Sequence, residues 1–553
     1  MDEAIWKHVV LNAKKYGKPN EKAVIGKVLA ENPELRKNAK EVLERIRQVI
    51  AEFESLSDAE KEELFSRYAE EKKEVRRDYQ LPPLPNAENG KVVMRFAPNP
   101  NGPPTLGSAR GIIVNSEYAR MYDGKFILRF DDTDPRTKRP LLEAYDWYLE
   151  DCEWLDARPD EVVYASKRIG MYYDYAVRLI EMGHAYVCRC SREEFKQYKD
   201  SGVACPHRER SAEENLEDWE RMLNGEYAEG EAVLRIKTDM AHKDPAVRDW
   251  VAFRIIFSDH PLVGDKYVVY PTLDFESAIE DHVLGVTHIL RGKDLADSER
   301  RQRYIYEYFG WEYPVVRHWG RIKIHEFGKL STSEIRKKIE EGVYSGWDDP
   351  ALPTIRAFRR RGFEPRAIRK FFLSLGVGEN DVSVSLKNLY AENRKIVDEI
   401  AERYFFVWNP VRIEIEGLDS FAEVELPLHP SRDAGVRKLK GERAVYITRD
   451  DFENFKGKEV RLKGFCNIRI GEDGKASYAG DEVETARKGR SIIHWLPESQ
   501  ALKCEVLTPE GKVEGLVEEN VRSAVNRVVQ FERYAFCRVE EAGEEVRAIY
   551  THP

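Results

Sequence analysis

No run of about 18 apolar residues occurs anywhere in the 553-residue chain, so no segment is expected to cross a membrane as a helix. The N-terminus, MDEAIWKHVVLNAKK, lacks the unbroken apolar core of a secretory signal. A soluble, cytoplasmic protein is therefore expected. Cysteine is sparse, with seven residues, and a disulfide framework is not expected in so long a chain without a signal. Cys152, Cys466, Cys504 and Cys537 stand alone and read as core residues. A basic excess is also missing: 89 Lys and Arg face 99 Asp and Glu, for a net charge of −10. That excludes a uniformly basic coat, so any RNA contact must come from local patches. No internal repeat of fixed period is visible.

What is present starts with charge. Charged residues make up 34% of the chain against roughly 25% in ordinary domains, a surplus typical of heat-adapted proteins. Length suggests several domains. Residues 1–85 read as an accessory domain of charged amphipathic helices at 4–16, 22–29, 40–53 and 58–79, with Val42, Ile46 and Ile50 as one apolar stripe. They end in a proline-stiffened linker, Leu81 to Asn86.

The centre of the sequence is MRFAPNPNGPPTLGSARGIIVNSEYARMYDGKFILRFDDTDPR. It reads as strand, Pro/Asn/Gly-rich loop, helix at 109–121, and strand at 126–130 ending in an acidic turn. This is the first half of an α/β nucleotide fold. A helix starting near Gly107 would aim its amides and positive dipole end at a phosphate. The spacing of Gly102 and Gly107 matches neither the dinucleotide fingerprint nor the Gly-Lys-Ser/Thr phosphate loop. Aromatic-rich helices at 141–182 read as core. An insertion at about 184–265 interrupts the fold, with a helix at 212–223 and a strand at 232–237. A strand at 267–270 then returns to it, followed by a strand at 286–291 and a helix at 298–309 stopped by Gly310. Residues 354–370 carry Arg356, Arg359, Arg360, Arg361, Arg366, Arg369 and Lys370 against Glu364 alone, a run one-sided enough to predict a phosphate-contacting surface. From residue 406 onward, short strands at 411–415, 444–447, 459–462, 491–495, 501–506 and 535–539 predict an all-β, barrel-like module.

Inside the insertion, Cys188 and Cys190 form one tight pair and Cys205 and His207 another. Three thiolates and an imidazole suit a closed tetrahedral zinc site; three buried thiols beside a solvent-facing His is the bland alternative.

The opening stretch resembles the signature of class I aminoacyl-tRNA synthetases of the glutamyl/glutaminyl branch, with Thr105-Leu106-Gly107-Ser108 at the His-Ile-Gly-His position. Lys329-Leu330-Ser331-Thr332-Ser333 stands in order at the Lys-Met-Ser-Lys-Ser position. The chain most resembles archaeal-type glutamyl-tRNA synthetases. The resemblance implies a multidomain protein: residues 86–183 and 266–332 as the two halves of a Rossmann-like catalytic domain, 184–265 as the acceptor-end-binding domain, 333–405 as a helical stem-contact domain, and 406–553 as anticodon-binding barrels. It implies ATP binding by Pro98, Asn99, Pro100, Asn101, Gly102, Gly107 and Lys329, and catalysis by Thr105, Gly107, Ser108, Lys329, Ser331 and Ser333. Both signature histidines are replaced, by Thr105 and Ser108, whose hydroxyls donate to phosphate without carrying charge. Adenylate formation is thus expected to lack a histidine titration from this loop.

The same resemblance assigns Arg95 and Arg291 to the substrate carboxylates, Arg291 to the γ-carboxylate. Asp131 is assigned to the ammonium group, with Tyr270 as a substitute where relatives often have Tyr and this chain has Leu273. A buried guanidinium favours a carboxylate through paired bonds, so Arg291 points to glutamate rather than glutamine. The expected reaction is ATP- and Mg2+-dependent activation of L-glutamate, then transfer to the terminal adenosine of tRNA(Glu). Charging of tRNA(Gln) stays open, as do a glutaminyl-tRNA synthetase and a tRNA-binding paralogue without activity. A monomer is expected, with a structural Zn2+ in the insertion.

Overall fold

The computed structural model describes residues 2–31, 35, 38–57, 60–61, 64–65, 81–327, 331–418, 422–471, 474–483 and 491–553. It divides into two compact units, residues 1–79 and 80–553. In the first unit, α1 (Asp2–Tyr16), α2 (Glu21–Glu31) and α3 (Ala39–Ser55) share one core. The buried stripe of α3 is Val42, Ile46, Val49 and Phe53, so its fourth-turn contact is Phe53 and Ile50 is only half-buried. Most of the helix expected at 58–79 lies outside the described residues.

In the second unit, β1 (Val93–Phe96) leads to α4 (Leu106–Met121) and β2 (Lys125–Phe130). After α5 (Leu142–Trp154) comes β3 (Glu161–Tyr164), parallel to β2. Strand β2 is buried along nearly its whole length, as expected of a parallel strand covered on both faces. Helix α4 lies so close to β1 that a Cβ on Gly111 would sit 2.4 Å from the Phe96 ring; only glycine fits there.

The chain then runs through α6 (Ile169–Glu181) into the insertion. It contains β4 (Ala185–Cys188), α7 (Arg192–Ser201), α8 (Ala212–Leu223), β5 (Val233–Ile236) and β6 (Val251–Ile255). Strand β7 (Val269–Pro271) pairs antiparallel with β6, Phe253 opposite Pro271. The strand expected to reopen the parallel sheet therefore completes the insertion's own four-stranded sheet, in the order β4-β5-β6-β7. The parallel sheet resumes only after α9 (Leu273–Val283), with β8 (His288–Gly292), α10 (Ala296–Phe309) and β9 (Val315–Trp319). Gly310 caps α10 in the left-handed conformation, as the sequence predicts. The Thr287 amide donates to Val93 O at 3.1 Å and its hydroxyl accepts from Val93 N at 2.9 Å. These bonds set β8 beside β1, so that the parallel ladder β1-β2-β3 and the parallel pair β8-β9 lie side by side in the arrangement of a doubly wound fold.

The proline segment after residue 80 is not a free spacer. Leu81 and Leu84 are buried against Val92, Met94, Tyr118 and Leu290. Tyr118 Oη donates to Pro82 O at 2.9 Å, and the Leu84 amide donates to Tyr122 Oη at 2.9 Å. Two leucines among prolines supply an apolar edge, and it covers the sheet. Of the aromatics at 141–182, Tyr145, Tyr148 and Tyr172 are buried as expected, Trp154, Tyr173 and Tyr175 pack partly buried against the core, and Trp147 is half-buried beside Trp347.

Beyond the sheet, α11 (Thr332–Glu340), α12 (Ile355–Arg360), α13 (Pro365–Leu375) and α14 (Leu386–Val397) form the helical connector. Ile355, Phe358, Ile368 and Phe372 share a core with Leu106, Ala109 and Ile112 of α4. Two seven-stranded sheets follow. Arg403–Tyr404 and Phe406–Trp408, nearly adjacent in sequence, form the two opposite edges of the second sheet. The β region thus begins three residues earlier than expected and consists of two modules. All seven cysteines are free thiols, and Cys152, Cys466, Cys504 and Cys537 are buried.

Candidate nucleotide and amino-acid site

The Pro/Asn/Gly loop after β1 is held from both sides. The Asp131 amide donates to Pro98 O at 2.9 Å, Asn99 Nδ2 donates to Asp131 O at 3.0 Å, and the Leu141 amide donates to Pro100 O at 2.9 Å. Thr105 is the N-cap of α4, its Oγ1 accepting from the Ser108 amide at 3.4 Å. Gly107 is exposed at the first turn, with no heavy atom other than Thr105 Oγ1, at 3.6 Å, near its missing Cβ. The cap is pinned to the connector, Leu106 N donating to Pro353 O at 2.9 Å and Ile355 N to Pro104 O at 2.8 Å.

The second motif arrives at the same place. A Cβ on Gly102 would lie 2.4 Å from Thr332 Cγ2 and 3.1 Å from the Trp347 ring. Ser331 is the N-cap of α11 in a reciprocal box with Glu334. Its hydroxyl donates to Glu334 Oε2 at 2.8 Å and lies 3.1 Å from Ser333 Oγ. Lys329 lies outside the described residues.

Behind the loop is a cavity of about 190 Å3 lined by Arg95, Asp131, Leu273, Ser277, Arg291, Gln302 and Trp319, among others. The two assigned arginines stand in opposite states. Arg95 makes a fork to Asp281, Nε at 3.0 Å and Nη2 at 3.2 Å. Asp281 also accepts from Arg129 Nη1 at 2.6 Å. Burial opposes ionisation of this carboxyl, but Arg95 and Arg129 outweigh it and pull it down to about 2. Arg129, which is 0% exposed, forks onto Asp131 as well, with Nε at 2.6 Å, and donates to Ser277 Oγ at 2.8 Å. Arg291 is 5% exposed and has no carboxylate partner among the described residues. Both its Nη atoms share Gln302 Oε1 at 3.2 Å, and its Nε has no hydrogen-bond partner.

Tyr270 is fully buried in the neighbouring core, outside the cavity lining. Burial pushes its hydroxyl up to about 12. Leu273, 45% exposed, stands at the cavity instead. Sequence reasoning missed Arg129, Asp281, Ser277 and Gln302. One signal existed: α9 carries Glu276, Glu280 and Asp281 among apolar residues, and all three are buried. Burial, with Asp131 nearby, raises Glu276 well above the usual carboxylate range. Burial also raises Glu280, against the pull of Arg129.

In the insertion, Cys188, Cys190, Cys205 and His207 bring their ligand atoms within 4.8 Å of one another. Cys188 Sγ and Cys205 Sγ are 3.9 Å apart, and Cys190 Sγ is 3.4 Å from His207 Nδ1. Beside them opens a groove of about 990 Å3 lined by Arg192, Lys196, Lys199, Arg254 and Arg301, with Phe195 and Trp250.

The arginine run of the connector divides. Arg359 and Arg366 are exposed, without an ion-pair partner among the described residues. Arg356 pairs with Glu150 at 2.8 Å, and Arg360 forks onto Glu540 of the second β module at 2.8 and 3.0 Å. Arg361 is buried, donating to Tyr550 O at 3.1 Å and Thr551 O at 2.8 Å. Arg369 is buried on Leu155 O, Asp156 O and the Glu117 carboxylate. The outward surface is therefore narrower than the charge run suggests, because two guanidiniums cap carbonyls inside the fold. In the first β module, Arg461 is buried on Asn467 Oδ1 at 3.1 Å and Lys463 is paired with Glu532.

A doubly wound sheet with two signature loops meeting at a helix N-terminus, an insertion between its halves that opens a cation-lined groove, and two β modules behind it is the make-up of a class I aminoacyl-tRNA synthetase. Residues 91–399 match the family model "tRNA synthetases class I (E and Q), catalytic domain". Residues 401–487 and 492–540 match its two anticodon-binding domains. The chain is 68% identical to a glutamate–tRNA ligase of Archaeoglobus fulgidus over all of both chains. It is 54% identical to that of Methanosarcina barkeri, covering 100% of this chain and 98% of the other. It is 53% identical to that of Thermococcus kodakarensis, covering 100% and 99%. The chain belongs to the class I tRNA synthetases of the glutamyl and glutaminyl type.

Proposed function

We propose that the protein is a glutamate–tRNA ligase, which activates L-glutamate with ATP and transfers it to the terminal adenosine of tRNA(Glu). The observation that carries the substrate assignment is the state of Arg291: a buried guanidinium facing a small cavity whose only partner among the described residues is a neutral amide oxygen. A glutamate side chain supplies the missing carboxylate through paired, charge-assisted bonds. Glutamine would leave the charge unpaired, which costs about 3–5 kcal/mol for a broken buried pair.

The attacking atom is an α-carboxylate oxygen of the substrate, and pyrophosphate departs from the α-phosphate of ATP. The chain contributes position and donors rather than a nucleophile of its own. Gly107 leaves the first turn of α4 open for close approach, while Thr105 holds the helix end. Ser333 and Lys329 belong to the loop that meets the phosphates, and Ser331 shapes it as a helix cap. Magnesium bound with ATP supplies charge neutralisation on the phosphates. Asp131, braced by Arg129, faces the substrate ammonium.

The four ligands of the insertion fit structural zinc. Tetrahedral bonds of about 2.3 Å to sulfur and 2.0 Å to nitrogen place ligand atoms about 3.8 Å apart for S···S and 3.5 Å for S···N. Two of the six separations are 3.9 and 3.4 Å, and all six lie within 4.8 Å. The groove beside them suits the acceptor end, its cations facing the phosphates. No helix among the described residues is long and apolar enough to cross a membrane. A cytoplasmic monomer is the reading we adopt.

The test is ATP–pyrophosphate exchange with added tRNA, run with glutamate and with glutamine. Glutamate alone should support exchange, and Arg291→Leu should abolish it. Exchange with glutamine in preference to glutamate would overturn the reading. Side-by-side charging of tRNA(Glu) and tRNA(Gln) then defines the acceptor range.

A further inference from the structure

The cavity contains an electrostatic asymmetry that resides in one uncharged side chain. Arg95, Arg129 and Arg291 are three guanidiniums, and among the described residues the carboxylates hydrogen-bonded to them are two, Asp281 and Asp131. The surplus cation is Arg291. Its partner is Gln302, 2% exposed on α10. Gln302 Oε1 receives three donors: both Nη atoms of Arg291 at 3.2 Å and Tyr313 Oη at 2.7 Å. Three donors converging on one atom fix it as the oxygen of the amide. The two bonds to Arg291 are longer than the roughly 2.7–2.9 Å of bonds to a charged acceptor, so the guanidinium is oriented but not neutralised.

We infer that Gln302 is the positioning residue for substrate selection: it aims Arg291 into the cavity while withholding the negative charge that would satisfy it. A carboxylate at the same place would pair with Arg291 as Asp281 pairs with Arg95, and the cavity would lose its claim on an acidic side chain. This inference rests on the proposed reading of the cavity as a glutamate site.

The test compares Gln302→Glu with Gln302→Met in the full-length protein, by ATP–pyrophosphate exchange with tRNA. Gln302→Glu keeps the shape and adds charge. It should raise KM for glutamate by about 100-fold or more, with KM for ATP unchanged and thermal stability equal or higher. Gln302→Met removes the acceptor without adding charge and should raise KM by about tenfold. A residue with a merely structural role gives the opposite order, since the isosteric Glu then disturbs less than Met. Tyr313→Phe, which keeps the ring, releases one restraint on the amide and should raise KM for glutamate by about three- to tenfold. If Gln302→Glu uses glutamate as well as Gln302→Met does, or if Tyr313→Phe leaves KM unchanged, the inference falls. A wild-type protein that does not activate glutamate sinks the functional reading instead, so the two failures are distinguishable.

Discussion

Gly102 and Thr332, 230 residues apart, touch across the mouth of the nucleotide cleft, the Thr332 methyl filling the place where a Gly102 side chain would stand. The two signature loops are thus in van der Waals contact. Gly102→Ala must push Thr332 or Trp347 aside, because a Cβ would sit 2.4 Å from the one and 3.1 Å from the other. Displacing a phosphate-binding loop by a fraction of an ångström should lower the activation rate by about 10- to 100-fold. The melting temperature should stay close to wild type. Exchange kinetics beside a thermal melt check this; an unchanged rate contradicts it.

The split of the arginine run predicts two kinds of variant. Arg359→Ala and Arg366→Ala should weaken tRNA binding and each reduce the salt slope by about 1, leaving stability alone. Arg361→Ala should instead destabilise the junction with the second β module by about 2–4 kcal/mol, since it leaves the Tyr550 and Thr551 carbonyls without their donor. Filter binding over a salt series and denaturant titration separate the two.

Zinc analysis of protein purified without added metal should give one zinc per chain. Cys205→Ser should lose it and lower the stability of the insertion, because metal binding and local folding are coupled. Protein with far less than one zinc and an unchanged melt contradicts the assignment.

Two buried histidines predict acid sensitivity of the β modules. Burial, with Arg533 adding to it, lowers His494 to about 4. Burial also lowers His552 to about 4, against the Pro553 carbonyl. Both are neutral in the folded chain and would bind protons near pH 6.5 once unfolded. The unfolded state therefore takes up more protons between pH 6.5 and 4, and stability falls as pH drops through that window, by about 3 kcal/mol per histidine. Below about pH 4 the slope from these groups flattens. His494→Gln should reduce the difference in denaturant stability between pH 7 and pH 4.5; an equal difference in variant and wild type refutes it.

The sequence alone determined the class of fold, the two signature loops and the paired Cys/His cluster. Each is a local pattern: apolar runs of strand length, a helix start after a Pro/Gly loop, cysteines one residue apart. It also marked Arg95, Asp131 and Arg291 through resemblance, and the cavity brings all three together. Tertiary structure decided what is not local. Strand β7 joined the insertion because its ladder partner is β6, and no apolar pattern specifies which sheet a strand enters. The proline segment became part of the core because its leucines found a sheet edge. Arg361 and Arg369 turned inward because helix packing set their faces against free carbonyls, which a count of charges does not reveal. The charge state of the cavity was likewise decided in three dimensions. Arg95 is neutralised by Asp281 and Arg291 has no such partner among the described residues, because a guanidinium's effective charge depends on the carboxylates within hydrogen-bond reach, and Asp281 reaches Arg95 from α9, 186 residues away along the chain.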